Sequence, residues 1–156
     1  MSGQAIKNII LIGISAAGSL LSGFLGGVDE MLTVLLIFMA IDYITGVAVA
    51  MFFHKSTKTS NGGASSKEGF KGIVRKMCIL MLVGIAHCLD AVMGVEYMRM
   101  LAILFFLGNE GISVLENMGL MGVPYPKVIK NALEVIKEKG EETPTTPGGD
   151  TDENVC

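Results

Sequence analysis

From Asn8 to Val28 the chain runs 21 residues without a charged side chain. A helix crossing the bilayer core needs about 20 mostly apolar residues. Three further runs approach that length. Met31–Phe53 carries one charge, Asp42; Met77–Val95 contains His87 and Asp90; Met100 to about Leu120 contains Glu110 and Glu116. In a chain of 156 residues these four runs leave room for little else. Composition agrees: 51% of residues are hydrophobic and 17% charged, against about 25% charged in soluble domains. The expected fold is an all-α integral membrane protein with about four transmembrane helices, spans 8–28, 31–53, 77–95 and 100–120, within a transmembrane domain 1–123. Three spans are the alternative, if the first segment lies on the membrane or leaves it. Lys7 and Ser15-Ala16-Ala17 loosely resemble a signal peptide, but the apolar run continues to Phe24 and Leu25, which favours retention.

The net charge of −3 conceals segregation. Between residues 54 and 76 stand Lys55, Lys58, Lys67, Lys71, Arg75 and Lys76 against Glu68, six bases against one acid. This Ser- and Gly-rich stretch is expected to be a basic cytoplasmic loop, fixing topology and attracting anionic lipid. Both termini are then cytoplasmic. Pro124 and Pro126 end the fourth span, and 124–139 reads as a short amphipathic cytoplasmic helix with Ile129, Ala132, Leu133 and Ile136 at helical spacing. Residues 140–156 read as a disordered acidic tail. The three cysteines form neither a CxxC pair nor a zinc spacing. No nucleophile–base arrangement or P-loop is present, so no catalytic residues, metal site, cofactor or nucleic-acid partner is expected.

Charged and polar residues inside spans are expensive, which makes them candidates for function. Asp42 lies midway along the second span, with Thr45 one turn on. His87 and Asp90, three apart, share a face of the third and could relay protons or pack against a neighbouring helix. In the fourth span Asn109, Glu110, Ser113, Glu116 and Asn117 fall within roughly 120° of arc at 100° per residue. Such a stripe must face protein or water: a pore, a transport path or a helix seam. In the first span Ser15, Ser19, Gly23 and Gly27 form a row of small residues, with Gly18, Ser22 and Gly26 beside it. Small residues at this spacing let helices approach closely, within one molecule or between copies.

Three segments taken together resemble the phage holin family that includes the clostridial toxin-secretion holins. They are Asp42-Tyr43-Ile44-Thr45-Gly46, the loop from Ser65-Ser66-Lys67-Glu68-Gly69-Phe70 to Arg75-Lys76, and Asn109-Glu110-Gly111-Ile112-Ser113-Val114-Leu115-Glu116-Asn117 followed by Gly122-Val123-Pro124-Tyr125-Pro126. The resemblance implies a non-enzymatic protein of the bacterial (host) cytoplasmic membrane that oligomerises with itself. At a set time it forms lesions that give an endolysin access to the cell wall, or release a large toxin, without required direct contact. It also implies that Asp42, Glu110, Ser113 and Asn117 serve oligomer contacts or a hydrated wall. The rival expectation is a small four-helix transporter with Glu110 or Asp42 as its proton-coupled acid.

Overall fold

The computed structural model describes residues 3–57 and 63–142. The described chain folds into five α-helices: α1 (Gly3–Phe24), α2 (Glu30–Ala48), α3 (Ser66–Met93), α4 (Met98–Leu120) and α5 (Lys127–Glu141). α2 continues into a π-helical turn, Val49–Phe53, which His54 stops in the left-handed region at φ 49°. Four helical stretches are long and apolar enough to cross a membrane: Gln4–Phe24, Glu30–Phe53, Ser66–Met93 and Met98–Leu120. Most of the tail expected at 140–156, and Lys58, lie outside the described residues.

Two boundaries differ from expectation. α1 stops at Phe24 because Gly26 and Gly27 adopt φ +79° and +90°, a left-handed conformation that residues with a Cβ rarely take. Gly27 N–H then bonds the Ser22 carbonyl, closing the helix. Gly26 and Gly27 are therefore turn residues, and the predicted small-residue rows end at Ser22 and Gly23. At the other end, α3 starts at Ser66, not Met77, so Lys67, Lys71, Arg75 and Lys76 belong to a helix and the loop shrinks accordingly. A lengthened helix accommodates these residues because Lys67, Lys71 and Arg75 point outward, and Lys71 bonds Glu68 at 2.6 Å, one turn away.

The core forms where α2, α3 and α4 meet. Leu32, Leu35, Met39, Ile79, Val83 and Ile103 are buried there with Leu25 from the first turn. Their outer faces carry Ile37, Ile41, Ile44, Met77, Met81, Ile85 and Leu89, all exposed. Between lipid-embedded helices there is little hydrophobic driving force, so this core coheres mainly through dispersion contacts and the polar bonds described below. α1 contributes almost nothing to it. None of residues 4–24 is buried, and a Cβ at Gly13, Gly18 or Gly23 would meet nothing within 4 Å. Its firm anchor is Phe24, whose ring packs directly on Gly84 of α3.

The turn after α1 is clamped by Arg99 from the first turn of α4. Its guanidinium donates to the Leu25 carbonyl at 2.6 Å, to the Gly27 carbonyl at 3.1 Å and to Asp29 Oδ2 at 2.6 Å. Asp29 also caps α2, accepting from Leu32 N–H at 2.9 Å. The Arg99 hydrogen bond, assisted by the Leu32 amide, holds the Asp29 carboxyl below the usual carboxylate range against an opposing effect of burial. A depressed pKa stabilises the fold above the unfolded value, and that stabilisation is lost as pH falls through the folded value. Because the Asp29 side chain is 47% exposed, solvent screens the pair and the effect is small. Thermal unfolding in detergent should therefore separate wild type from Asp29→Asn at neutral pH, with the gap closing below about pH 4. A gap that persists unchanged at pH 3 would exclude the Asp29 carboxylate as its source.

α5 does not lie across the end of the bundle as an interfacial helix. It turns back at Pro126 and runs antiparallel against α4. Leu133 is buried against Gly111, and Gly140 reaches Leu101 and Phe105, near the start of α4. Glycine makes the approach this close: a Cβ at Gly108 would sit 2.8 Å from the Leu133 carbonyl oxygen and 2.8 Å from the Lys137 nitrogen. Lys137 Nζ stands 5.6 Å from the Phe105 ring centroid, a cation–π distance.

Candidate functional site

At 1.5 Å per residue, Asp42 lies about 18 Å from the start of α2, and Glu110 about 18 Å from the start of α4. Both helices start at the same end of the bundle, so the two acids sit level, near mid-depth. Lys76, about 15 Å along α3 from the opposite end, reaches between them. Its Nζ donates to Asp42 Oδ2 at 2.8 Å and to Glu110 Oε2. Asp42 and Glu110 are 9% and 7% exposed, which places two carboxylates and one ammonium in the interior. Such an arrangement persists only where each charge keeps a partner. Among the described residues no buried side-chain N or O lacks a hydrogen-bond partner.

Asn117 completes the cluster two turns beyond Glu110. Its amide donates to Asp42 Oδ1 at 3.2 Å and to Thr45 Oγ1 at 3.1 Å. Thr45 in turn donates to the Ile41 carbonyl at 2.9 Å, which orients its hydroxyl oxygen as an acceptor. Tyr43, beside Asp42, lies against Gly69 and Gly72 of α3, each at 3.7 Å from where a Cβ would stand. The three sequence segments singled out above thus meet at one place. The first supplies Asp42, Tyr43 and Thr45, the second Gly69, Gly72 and Lys76, the third Glu110 and Asn117.

A cleft of about 650 Å³ opens beside the cluster toward the loop after α2. Asp42, Lys76 and Glu110 help line it, together with Asn109 and Ser113 of α4 and Arg75 of α3. The polar stripe of α4 is therefore divided. Glu110 and Asn117 bond within the protomer, and Asn109 and Ser113 line the cleft. Glu116, at the edge of the arc, is exposed outside it.

His87 and Asp90 do not pair. Asp90 is buried and accepts from the backbone N–H groups of Met98 and Arg99 at 2.8 and 2.9 Å, capping α4 across the turn from α3. His87 stands against the first turn, its Nδ1 2.7 Å from where a Cβ on Gly26 would be. The small residues Ser15, Gly18, Ser19 and Gly23 lie on the unpartnered surface of α1, with Ser22 half-buried. Lys55 is exposed at the start of the loop.

Lys76 is the residue that sequence reasoning placed wrongly, in the loop. Its signal was available as phase: Lys76, Ile79, Val83, Ala86 and Asp90 follow one helical face at steps of three and four. Arg99 was missed as a clamp. Its only signal was being the sole basic residue in a stretch otherwise carrying Asp29, Glu30 and Glu96 at the same end.

Comparison with known proteins identifies the lineage. A family model described as the bacteriophage holin family matches residues 19–138. An uncharacterized protein of Listeria innocua is 40% identical over 136 residues, covering 86% of this chain and 91% of its own length. An uncharacterized 14.9 kDa protein of Clostridium perfringens is 37% identical over 138 residues, covering 87% and 98%. A protein of Bacillus phage phi105 named a probable holin is 32% identical over 120 residues, covering 76% and 83%. No solved structure matches. The family model takes in the Asp42, Lys76 and Glu110 cluster and nearly all of α5, leaving out most of α1. With four helices able to span a bilayer, the chain is a multi-pass membrane protein that belongs to the bacteriophage holin family.

Proposed function

We propose that this protein is a holin that accumulates in the bacterial cytoplasmic membrane, associates with copies of itself and opens lesions at a set time, giving an endolysin access to the cell wall. The observation that carries self-association is α1. It has no buried residue in the span 4–24, and a Cβ at Gly18 or Gly23 in its small-residue rows would meet nothing within 4 Å. A membrane helix with unoccupied small-residue ridges is suited to close packing on a second copy. Many copies must cooperate to enclose water, which makes onset abrupt in concentration. The basic residues at the start of α3 and in the preceding loop favour the cytoplasm for that end of the bundle, where α1 begins; α5 runs back along α4, so its last described residues lie toward the other end. Release of a large secreted protein through the same lesions belongs to the same reading. The role follows from assembly and needs no catalytic step.

In this reading the Asp42–Lys76–Glu110–Asn117 cluster holds α2, α3 and α4 together as the unit that assembles. Induction in bacteria with and without a cytoplasmic endolysin tests the function. Delayed, sudden lysis is expected only with the endolysin, and growth arrest without it. Slow, endolysin-independent resistance to a toxic cation would instead establish the transporter. Gly18→Leu with Ser22→Leu on α1 should delay lysis several-fold or abolish it at equal membrane levels, because bulky side chains separate the helices. Unchanged timing would remove α1 from the assembly contact.

A further inference from the structure

Asp42 and Glu110 are already bonded to Lys76 and Asn117 inside the protomer. Few charges of the membrane-spanning helices therefore remain to line water. α5 supplies them. Its residues 133–140 run beside α4 from the level of Gly111 to that of Leu101, past the depth of Glu110, with 127–132 nearer the end of α4. Lys127, Lys130, Asn131, Glu134, Glu138 and Glu141 fall within about 100° of its circumference at 100° per residue. None is buried, and Lys130 and Glu134 form a 3.6 Å pair, each about half exposed. A different sector, carrying Leu133 and Gly140, faces α4. A third, with Val128, Ala132 and Val135, is exposed and mostly apolar, with Lys139 in it toward the end of the helix.

A charged stripe cannot face hydrocarbon at this depth. A helix with one sector fixed to a membrane helix, one greasy flank and one charged stripe fits the rim of a water-filled opening. We infer that α5 stays docked along α4 when copies assemble, and that its charged stripe forms the wall facing water. This rests on the hole-forming reading above and assigns the lumen to α5, leaving Glu110 and Asn117 of α4 as internal glue.

The test uses the full chain reconstituted in liposomes loaded with a fluorescent dye, with Cys78, Cys88 and Cys156 replaced by Ser. Single Glu138→Cys, Val135→Cys and Ile85→Cys variants are treated with a bulky, charged, membrane-impermeant thiosulfonate. Modification at position 138 should slow dye release at least tenfold, while positions 135 and 85 stay within twofold of the untreated protein. In a second variant, Phe105→Cys with Lys137→Cys, at positions whose side chains approach to 5.6 Å, oxidation ties α5 to α4, and the same sample after reduction is its control. Release that survives the tie supports a docked α5. Release abolished by oxidation and restored by reduction, or release indifferent to modification at 138, overturns the lumen assignment while leaving the holin standing. No release from the cysteine-free chain at any protein density overturns the hole-forming reading, and the lumen assignment with it.

Discussion

Lys76→Met should be the most destabilising single change in the bundle. The methionine fills similar space but leaves Asp42 and Glu110 buried without a cation. Breaking a buried ion pair by removing one partner typically costs about 3–5 kcal/mol. For a chain of this size, that lowers the thermal midpoint on the order of 10 °C. The cost arises from the stranded carboxylates, so neutralising them should recover much of it. Lys76→Met combined with Asp42→Asn and Glu110→Gln is expected to unfold in detergent much nearer to wild type than the single variant does. Asn at position 42 still offers its carbonyl oxygen to the Asn117 amide. Equal losses in the single and triple variants would mean that Lys76 contributes only packing, and that the three charges are not one unit.

Gly108→Leu should be the most disruptive change to the α4–α5 hairpin. A Cβ there would already meet the Lys137 Cβ at 2.5 Å and two backbone atoms of α5 at 2.8 Å. Side chains can rotate away from such a contact, but a helix backbone moves only as a whole. Inserting bulk into tight packing costs about 1–3 kcal/mol when the surroundings can adjust. Here the adjustment available is separation of α5 from α4. Amide hydrogen exchange should report this directly, with protection in residues 129–141 falling by tenfold or more while α2 and α3 keep theirs. Gly23→Leu is the control, because a Cβ at Gly23 meets nothing within 4 Å. Unchanged exchange in α5 of the Gly108 variant would contradict the close approach of the two helices.

Much of this architecture was legible in the sequence, for particular reasons. The four spans are long runs with few charges, and hydrocarbon imposes length and composition directly. The three segments that resemble the holin family contain the residues that meet around Lys76. What sequence could not supply was their convergence, because helical phase gives a residue's face but not the helix opposite it. Charge also misled. Lys76 next to Arg75 looks like the end of a basic loop, yet adjacent helical residues point about 100° apart, so Arg75 faces outward and Lys76 inward. α5 shows the same limit. Its periodicity predicts an amphipathic helix correctly, but a periodic pattern does not state what covers the apolar sector. The covering partner is α4, made accessible by Gly108 and Gly111.

Asp90 also bears on biogenesis. Its carboxylate is satisfied by two amides of the following helix, and those amides are among the groups at the head of α4 that lack partners within the helix. A segment inserted alone would carry either an uncompensated acid at the end of α3 or bare amides at the start of α4. Inserted as a joined pair, each cancels the other's desolvation. α3 and α4 are thus suited to enter the bilayer together, as a pair.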